Sequence, residues 1–419
     1  MFFRKKEARV YPYGELTAHL TGYIGEVSEE WINNNSSLDY RSGDIIGQSA
    51  LERSYERTLR GKVGYVLYKE DNEGNKIKLM TKEAKKGKDI KTTIDIELQK
   101  LVSEEMEDKK GAVVILEPVS GKVLAMYSNP SYDPNQFSLG VSTEKWNILK
   151  NDDNLPMLNR ANQGLYPPGS TFKIITAAAA LNENIVNTNT KFVDDGEFRI
   201  RGNVVRNYQN EVFEEHNFKD ALTHSINTTF AKVALELKKD IFLDYIDKFS
   251  FEEKKDFPLD SKNSSVGMIN DEVSLAWSAL GQGEVLTTPI EMSRIIAIIA
   301  NGGYEVKPHI IQNSNNESEN KEIISQKTVS ELKEMLVNVV ESGTAKNAKI
   351  EGVQIAGKTG TAEIDNKKEE THAWFIGFTP VKKPQYAVSV FLEKGGVGGK
   401  DAAPIFKDIL KEKLINKNN

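Results

Sequence analysis

Residues 111–127 read GAVVILEPVSGKVLAMY and contain two apolar runs on either side of a turn. The runs are Gly111–Glu117 and Lys122–Tyr127, and the residues between them include Pro118 and Gly121. Valine and isoleucine favour extended backbone, and a Pro and a Gly at this spacing are typical of a tight turn. The stretch therefore predicts an antiparallel β-hairpin, and the rest of the chain is interpreted around it.

The segments that follow the hairpin alternate between helical and extended patterns. Residues 170–182, STFKIITAAAALN, predict a buried Ala-rich helix that begins after two prolines and a glycine, with a capping hydroxyl. Apolar periodicity then predicts three strands and a last amphipathic helix over Val353–Glu363, Ala373–Phe378, Tyr386–Leu392 and Ala402–Leu414. This order of elements predicts an α+β fold, with helices packed on a mainly antiparallel sheet.

The first part of the chain differs in character, because residues 1–105 are polar and rich in turns. Its extended patterns are short, at Leu16–Ile24 and Tyr65–Tyr68, and one helical pattern spans Thr93–Met106. We therefore predict two domains, a smaller N-terminal region over 1–105 and a larger domain over 106–419.

Composition excludes several classes of protein. The 419 residues include 55 Lys and Arg, 61 Asp and Glu and no Cys, for a net charge of −6. Without Cys there is no disulfide framework, thiolate zinc site, iron–sulfur cluster or cysteine nucleophile. The acidic balance, without a dense basic run, argues against nucleic-acid binding. Neither a run of about 18 apolar residues nor a signal-peptide pattern is present, so we expect the polypeptide as written to be soluble.

Ser170 and Lys173 form the local pattern that most clearly suggests catalysis. A serine lies at the start of a hydrophobic helix, and a lysine lies one turn further in. Residues three apart lie on the same side of a helix. Burial lowers the pKa of a lysine amine, and a neutral amine can take the proton of a serine hydroxyl. Alone the pattern is weak, because Ser170 can equally be an ordinary helix N-cap. Ser-x-x-Lys recurs in polar segments, where we expect a solvated lysine, at Ser142, Ser318 and Ser330.

Two further clusters contain residue types suited to acyl transfer. Ser225-Ile226-Asn227 lies between two helical patterns and offers a hydroxyl that can pass a proton and a carboxamide that can hold a substrate amide, or else a cap or turn. Residues 357–362, GKTGTA, lie in a predicted strand whose small residues let another backbone approach. Lys358 and Thr359 there offer a cation and a hydroxyl to a carboxylate.

Ser-x-x-Lys, Ser-x-Asn and Lys-Thr-Gly in this order resemble the signature of penicillin-binding proteins and serine β-lactamases. The chain resembles class B penicillin-binding proteins in particular, almost end to end. Further matching stretches are Arg9–Pro12, Gly22–Gly25, Gly47–Tyr55, Leu59–Gly61, Thr92–Gln99, Asn129–Asn135, Gly281–Gly283, Thr288-Pro289 and His372–Phe375. The resemblance implies a transpeptidase domain over 106–419 and a pedestal-like, non-catalytic region of the dimerisation type over 1–105. Such proteins normally carry an N-terminal membrane anchor and more pedestal sequence, so we interpret this chain as a soluble or truncated form.

The resemblance implies a peptidoglycan D,D-transpeptidase, with carboxypeptidase side activity, that needs no metal or cofactor. Ser170 attacks the carbonyl between two terminal D-alanines of a stem peptide, Lys173 is the base, and Ser225 relays a proton to the leaving nitrogen. Substrate binding is assigned to Asn227, Lys358, Thr359, Gly360 and Thr361, and the oxyanion hole to the backbone N–H groups of Ser170 and Thr361.

The same resemblance implies ligands, partners and a location. The ligands are peptidoglycan stem peptides and β-lactam antibiotics, and cell-wall synthesis proteins are expected to bind through residues 1–105. In the family the enzyme works at the extracytoplasmic face of the bacterial membrane. Two alternatives stay open, a serine β-lactamase, which needs a base to activate water on the acyl-enzyme, and a non-enzymatic β-lactam sensor or scaffold. The residues in front of the larger domain favour the transpeptidase, because a single-domain hydrolase does not need them.

Two other polar residues are interpreted as structural. His372 stands alone on a predicted strand without a matching acid, and its neighbours Trp374 and Phe375 are expected in the core. Glu284, next to Gly281–Gly283, is interpreted as a surface carboxylate and not as a base that activates water.

Overall fold

The computed structural model describes residues 8–35, 40–312, 321–364 and 367–416. The chain forms two compact units. The first comprises Met1–Thr92 and Tyr132–Asp152, and the second comprises Thr93–Ser131 and Asp153–Asn419. The low-complexity stretch around residues 313–320 lies outside the described residues.

The described strands and helices follow each other irregularly, as in an α+β fold. In chain order the strands are β1 (Ile24–Glu26), β2 (Ile45–Gly47), β3 (Tyr65–Glu70), β4 (Lys76–Lys82), β5 (Gly111–Leu116), β6 (Val123–Asn129), β7 (Lys191–Asp194), β8 (Glu197–Ile200), β9 (Asn203–Arg206), β10 (Glu214–Asn217), β11 (Ala356–Ile364), β12 (Lys367–Thr379) and β13 (Tyr386–Leu392). The helices are α1 (Ala18–Thr21), α2 (Glu29–Asn34), α3 (Ala50–Ser54), α4 (Glu56–Leu59), α5 (Ile96–Glu105), α6 (Thr143–Lys150), α7 (Lys173–Asn182), α8 (Phe218–Thr223), α9 (Asn227–Lys248, interrupted at Lys238), α10 (Glu272–Ala279), α11 (Pro289–Ala300), α12 (Gln326–Glu341) and α13 (Ala403–Asn416).

A five-stranded antiparallel sheet in the order β11-β12-β13-β5-β6 forms the centre of the second unit. The predicted hairpin is its β5–β6 pair, and the predicted strand trio is β11–β13, so the α+β prediction is confirmed. Every residue of β5 and β13 is buried, which explains why β5 is continuously apolar and β13 is apolar except at Ser389. Helix α11, buried along its whole length, packs on β5 and β13, and α12 packs on the edge strand β11.

Helix α7 lies in the helical part of the second unit, where it packs against α9 and α12. All of its residues from Lys173 to Leu181 are buried. A helix surrounded by others has no polar face, and alanines let its neighbours approach closely. The run of four alanines in the sequence therefore reflects close packing on every side of α7.

In the first unit, β1 pairs with β2, and β3 forms a hairpin with β4. The strand expected over Leu16–Ile24 is wrong, because Ala18–Thr21 is a helical turn that ends at Gly22. Gly22 has φ +77° and packs against the backbone of Ser49 so closely that a Cβ would lie 2.1 Å from the carbonyl oxygen. This turn breaks the apolar pattern that had suggested a strand, and extended backbone begins only at Ile24.

The compact units do not divide the chain after residue 105, where the sequence predicted a domain boundary. Helix α5 belongs to the second unit, because it packs on β6 with Leu98 and Val102 fully buried. The Gln99 side chain donates to Met126 O and accepts from Met126 N, both at 2.9 Å. These hydrogen bonds connect α5 to strand β6 of the central sheet. Within the parts of the chain that the structure describes, no helix has the length and apolar character needed to cross a bilayer.

Candidate active site

Ser170 lies in a short 3-10 turn, Gly169–Thr171, directly before α7. The expectation that its hydroxyl caps the helix is wrong, because the N-cap position of α7 is Phe172, which makes no side-chain cap. The turn is instead closed by the Thr171 hydroxyl, which donates to Pro168 O at 2.8 Å. Ser170 is half-buried.

Three glycines allow this turn to lie against its neighbours. Gly281 has φ +71°, and its carbonyl oxygen accepts from Gly169 N at 2.9 Å. A Cβ on Gly281 would lie 2.2 Å from Gly169 O. A Cβ on Gly360 would lie 2.6 Å from Pro168 O, and one on Gly169 would lie 2.8 Å from Thr361 O. The Ser170 turn therefore lies directly against the Lys-Thr-Gly stretch of β11.

Lys173, on the first turn of α7, has no exposed surface. Its Nζ lies 2.6 Å from Asn227 Oδ1, 2.8 Å from Ser225 O and 3.2 Å from Ser225 Oγ. Burial, and then the nearby charge of Lys358, lower the pKa of Lys173 well below its ordinary value. The structure thus brings together residues of the first and second motifs.

Lys358, on β11, is also fully buried, and its Nζ donates to Ser225 Oγ at 2.9 Å and to Thr359 O at 3.0 Å. Burial lowers the pKa of Lys358 to about 7. The Ser225 hydroxyl is therefore within hydrogen-bond distance of two amines, one from each of the other motifs. Two ammonium groups around one hydroxyl repel each other, so this arrangement favours at least one neutral amine.

The contacts of Lys173 fit the neutral form. A neutral amine has two N–H donors and one lone pair. The two shortest contacts are to carbonyl oxygens, of Asn227 and Ser225, which can only accept. In the neutral form both donors are then used and the lone pair is left for a hydroxyl proton, whereas an ammonium would donate its third N–H to Ser225 Oγ.

Ser225 adopts an unusual backbone conformation, with φ +62° at the junction of α8 and α9. A non-glycine residue in the left-handed region costs about 1 kcal/mol or more, and such strain clusters at functional sites. The conformation directs both the carbonyl and the hydroxyl of Ser225 to Lys173. The amide of Asn227 is held from its other end, because Nδ2 donates to Arg206 O at 2.8 Å.

Around the Lys-Thr-Gly stretch, the structure adds residues that the sequence did not indicate. The Thr359 and Thr344 hydroxyl oxygens lie 2.6 Å apart, and Thr344 is exposed. Thr361 Oγ1 accepts from Gly398 N at 3.3 Å. Thr344 lies in a turn 15 residues before Thr359, and Gly398 begins a π-helical turn 37 residues after Thr361, so no local pattern could have revealed these contacts.

The other residues considered from the sequence have structural surroundings. His372 is buried, its Nδ1 accepts from Lys394 N at 3.1 Å, and burial lowers its pKa to about 4. Trp374 is fully buried, and its Nε1 donates to Pro167 O at 3.0 Å. Glu284 is exposed, and its Oε2 accepts from Met268 N at 2.9 Å.

The recurring Ser-x-x-Lys patterns lie elsewhere. Ser142 is the exposed N-cap of α6, and Lys145 is exposed as expected. Lys333 differs from the expectation, because it is half-buried, burial lowers its pKa, and its Nζ donates to Ala300 O. Its partner Ser330 is exposed on α12. The pattern at Ser318 lies outside the described residues.

The described residues contain no group of three or more His, Asp or Glu side chains placed to hold a metal ion. A family profile for the penicillin-binding protein transpeptidase domain matches residues 111–411, and one for the penicillin-binding protein dimerisation domain matches residues 1–92. The chain belongs to the class B penicillin-binding proteins. The resemblance inferred from the three motifs is thereby confirmed.

Curated relatives of this class B penicillin-binding protein include transpeptidases. The chain is 29% identical to "Peptidoglycan D,D-transpeptidase MrdA" of Acinetobacter baumannii, over 98% of this chain and 66% of that protein. It is 32% identical to "Penicillin-binding protein 3" of Bacillus subtilis, over 88% of this chain and 57% of that protein. It is 30% identical to MrdA of Escherichia coli, over 98% of this chain and 72% of that protein. The chain thus spans about two thirds of the length of the A. baumannii protein and less of the B. subtilis protein.

Solved structures of penicillin-binding proteins have the same fold. The complex of PBP2 with MreC from Helicobacter pylori has a TM-score of 0.88 at 26% identity, covering 98% of this chain and 79% of that one. Pseudomonas aeruginosa PBP2 in complex with WCK 5153 has a TM-score of 0.85 at 29% identity, covering 98% and 91%. Penicillin-binding protein A of M. tuberculosis, as a ceftriaxone acyl-enzyme, has a TM-score of 0.80 at 29% identity, covering 97% and 93%.

The packing of the Ser170 turn gives a first prediction, on Gly281→Ala. Alanine there would combine a left-handed backbone with a clash against Gly169 O, whereas at Gly352 (φ +75°) no atom lies within 4 Å of a Cβ. Gly352→Ala should lower the free energy of unfolding by about 1 kcal/mol, and Gly281→Ala by about 1–3 kcal/mol more. Urea unfolding of both variants measures this, and equal losses would contradict the packing argument.

Proposed function

We propose that this chain is a peptidoglycan D,D-transpeptidase that cross-links stem peptides through a serine acyl-enzyme and is acylated by β-lactams at the same serine. The observation that carries the proposal is the fully buried amine of Lys173, in contact with Ser225 and Asn227, on the helix that follows Ser170. The transpeptidase names of its relatives, and the ceftriaxone acyl-enzyme of the M. tuberculosis protein, support the same chemistry.

In acylation, Ser170 Oγ bonds to the carbonyl carbon between the two terminal D-alanines, and its proton passes to the neutral amine of Lys173. The lowered pKa of Lys173 supports this role. The oxyanion is stabilised by the backbone N–H groups of Ser170 and Thr361, each worth about 3 kcal/mol of barrier. The close approach of Gly169 to Thr361 O supports a shared pocket for both donors.

As the C–N bond breaks, the leaving D-alanine nitrogen takes, through Ser225, the proton that Lys173 removed from Ser170, and Lys173 becomes neutral again. The contacts of the Ser225 hydroxyl with both lysine amines support this relay. An acceptor amine from a second stem peptide then attacks the acyl-enzyme, loses its proton to Lys173, and releases Ser170 with the cross-link formed.

Substrate binding is assigned to the residues around these groups. Asn227 binds the amide of the stem peptide. The terminal carboxylate is bound by Lys358, Thr359, Gly360 and Thr361. The 2.6 Å contact between the hydroxyls of Thr359 and Thr344 supports a polar surface for that carboxylate. Hydroxyls and a cation at a common surface are suited to a carboxylate ligand.

We further propose that residues 1–105 contain the non-catalytic pedestal and bind cell-wall synthesis proteins, and that the transpeptidase domain spans 106–419 together with helix α5, which packs on its sheet. The solved complex of H. pylori PBP2 with MreC supports a protein partner for proteins of this kind. Peptidoglycan lies outside the cytoplasmic membrane, so we place the reaction at its extracytoplasmic face.

A β-lactamase and a non-enzymatic sensor or scaffold are the competing functions. A β-lactamase needs a base that activates water on the acyl-enzyme. The carboxylate considered for that role, Glu284, is exposed and holds the backbone of Met268, which argues against it. The transpeptidase names of the relatives favour an enzyme over a sensor.

Replacing the nucleophile tests the proposal directly. Ser170→Ala should abolish covalent labelling by a fluorescent penicillin, because no oxygen remains to form the ester. Ser330→Ala removes the serine of another Ser-x-x-Lys pattern, on α12, and should label normally. Intact-protein mass spectrometry reports both, and an adduct on the Ser170 variant would place the nucleophile elsewhere.

The base is tested by the pH dependence of acylation. In the wild type the rate should rise with pH as the Lys173 ammonium loses its proton, and level off well below the ordinary lysine pKa. Lys173→Arg stays charged at every accessible pH, so acylation should fall about 10²–10⁴-fold and not recover in alkali. Lys333→Arg, at the half-buried lysine of another Ser-x-x-Lys pattern, is the control. Near-normal acylation of the Lys173 variant would remove Lys173 from this role.

The lifetime of the adduct separates transpeptidase from β-lactamase. The penicillin adduct should persist for many minutes, because Glu284, the carboxylate considered as a water-activating base, is exposed and accepts from the backbone of Met268. Glu284→Gln should leave that lifetime unchanged. Mass spectra followed over time measure both, and a rapid return to free enzyme would instead favour the β-lactamase.

A further inference from the structure

The helix that carries Asn227 has an unusual N-terminus. The first N–H groups of a helix have no partner within it and are commonly capped by the residue just before. Before α9 that residue is Ile226, whose side chain cannot cap. Thr228 N instead donates to Asn207 Oδ1 at 3.1 Å. The cap of α9 is therefore supplied by a side chain 21 positions earlier in the chain.

A buried carboxylate completes this arrangement. Asp194 is 2% exposed, and its oxygens accept from the Thr228 hydroxyl at 2.5 Å and from Asn207 Nδ2 at 2.8 Å. They also accept from Phe213 N at 3.0 Å and Gly196 N at 3.2 Å. Burial raises the pKa of Asp194, but these hydrogen bonds outweigh it, and the net pKa lies below its ordinary value. We call Asp194, Asn207 and Thr228 the α9 clamp.

The clamp is continuous with the candidate active site. The backbone carbonyl oxygen of Arg206, the neighbour of Asn207 in the chain, accepts from Asn227 Nδ2 at 2.8 Å, while Asn227 Oδ1 contacts Lys173 Nζ at 2.6 Å. One short segment, 206–207, therefore holds both the first turn of α9 and the side chain that faces the amine. If that segment or that turn moved, the Asn227–Lys173 contact would change with it.

We propose that the α9 clamp is a set of positioning residues for acylation, which hold Ser225 and Asn227 at the Lys173 amine. The proposal rests on the proposed function, and it concerns residues that lie outside the three motifs. The clamp acts through the backbone and through Asn227. A displacement of about 1 Å at a reacting group can cost about 100-fold in rate, so a loosened clamp should slow acylation even when the fold is retained.

The test uses the hydroxyl of Thr228. Thr228→Val is nearly isosteric and removes the donor to Asp194, whereas Thr228→Ser keeps it. Thr328→Val is a matched control, because Thr328 is also a buried threonine in the first turn of a helix, and its hydroxyl donates to Asn182 Oδ1 at 3.0 Å. Acylation by a fluorescent penicillin and thermal unfolding are measured on all four proteins. We expect Thr228→Val to acylate about 10- to 100-fold more slowly than the wild type, and the serine variant and the control to stay within about threefold of it.

The outcomes separate the possibilities. Wild-type acylation of Thr228→Val would overturn the proposal. So would equal slowing of Thr228→Val and Thr328→Val, or no rescue by serine, because the effect would then follow stability alone. Asp194→Asn is an independent variant and should slow acylation similarly. If Asp194→Asn and Thr228→Val both fail to fold while Thr328→Val folds, the clamp is a requirement of the fold and the proposal is wrong. Absence of acylation in the wild type would instead defeat the proposed function itself.

Discussion

The site depends on the burial of two lysine amines around one serine hydroxyl. Lys173 and Lys358 have no exposed surface, and both lie within hydrogen-bond distance of Ser225 Oγ. In the part of the chain that the structure describes, neither amine is paired with a carboxylate. Removing an ammonium from water without a counter-charge is costly, so burial lowers the pKa of Lys173 well below its ordinary value and that of Lys358 to about 7. A neutral amine whose two N–H groups are hydrogen-bonded keeps a lone pair that can accept a proton.

Three parts of the second unit must stay in place for this burial to persist. Helix α7 is packed on every side, and the edge strand β11 is covered by α12 and by the Ser170 turn. The junction of α8 and α9 holds Ser225 at φ +62°, a conformation that local backbone energetics disfavour. Its cost is offset by the surrounding packing and by the polar contacts at the start of α9. The site is thus held by the packing around it and not by the three motifs alone.

Much of the architecture could be predicted because it follows from local periodicity. The β5–β6 hairpin, strands β11–β13 and helix α13 were all indicated by apolar patterns, with ends displaced by a few residues. The failures have specific causes. The turn at Ala18–Thr21 ends at Gly22, whose left-handed backbone lies against Ser49, and apolar periodicity does not describe that contact. Lys333 lies in a polar segment, yet its stem is half-buried by packing that periodicity does not describe.

The sequence by itself determined the fold class, the order of the three motifs and therefore the family, because these depend only on residue types and their spacing. Only the tertiary structure decided that Lys358 is buried as fully as Lys173, that Ser170 lies in a 3-10 turn and is not a cap, and that Asp194 and Asn207 hold the start of α9. The physical reason is the separation in sequence between the residues that interact. Desolvation and non-local capping arise between residues far apart in the chain. The order of residues does not show which distant groups pack together and exclude water from each other.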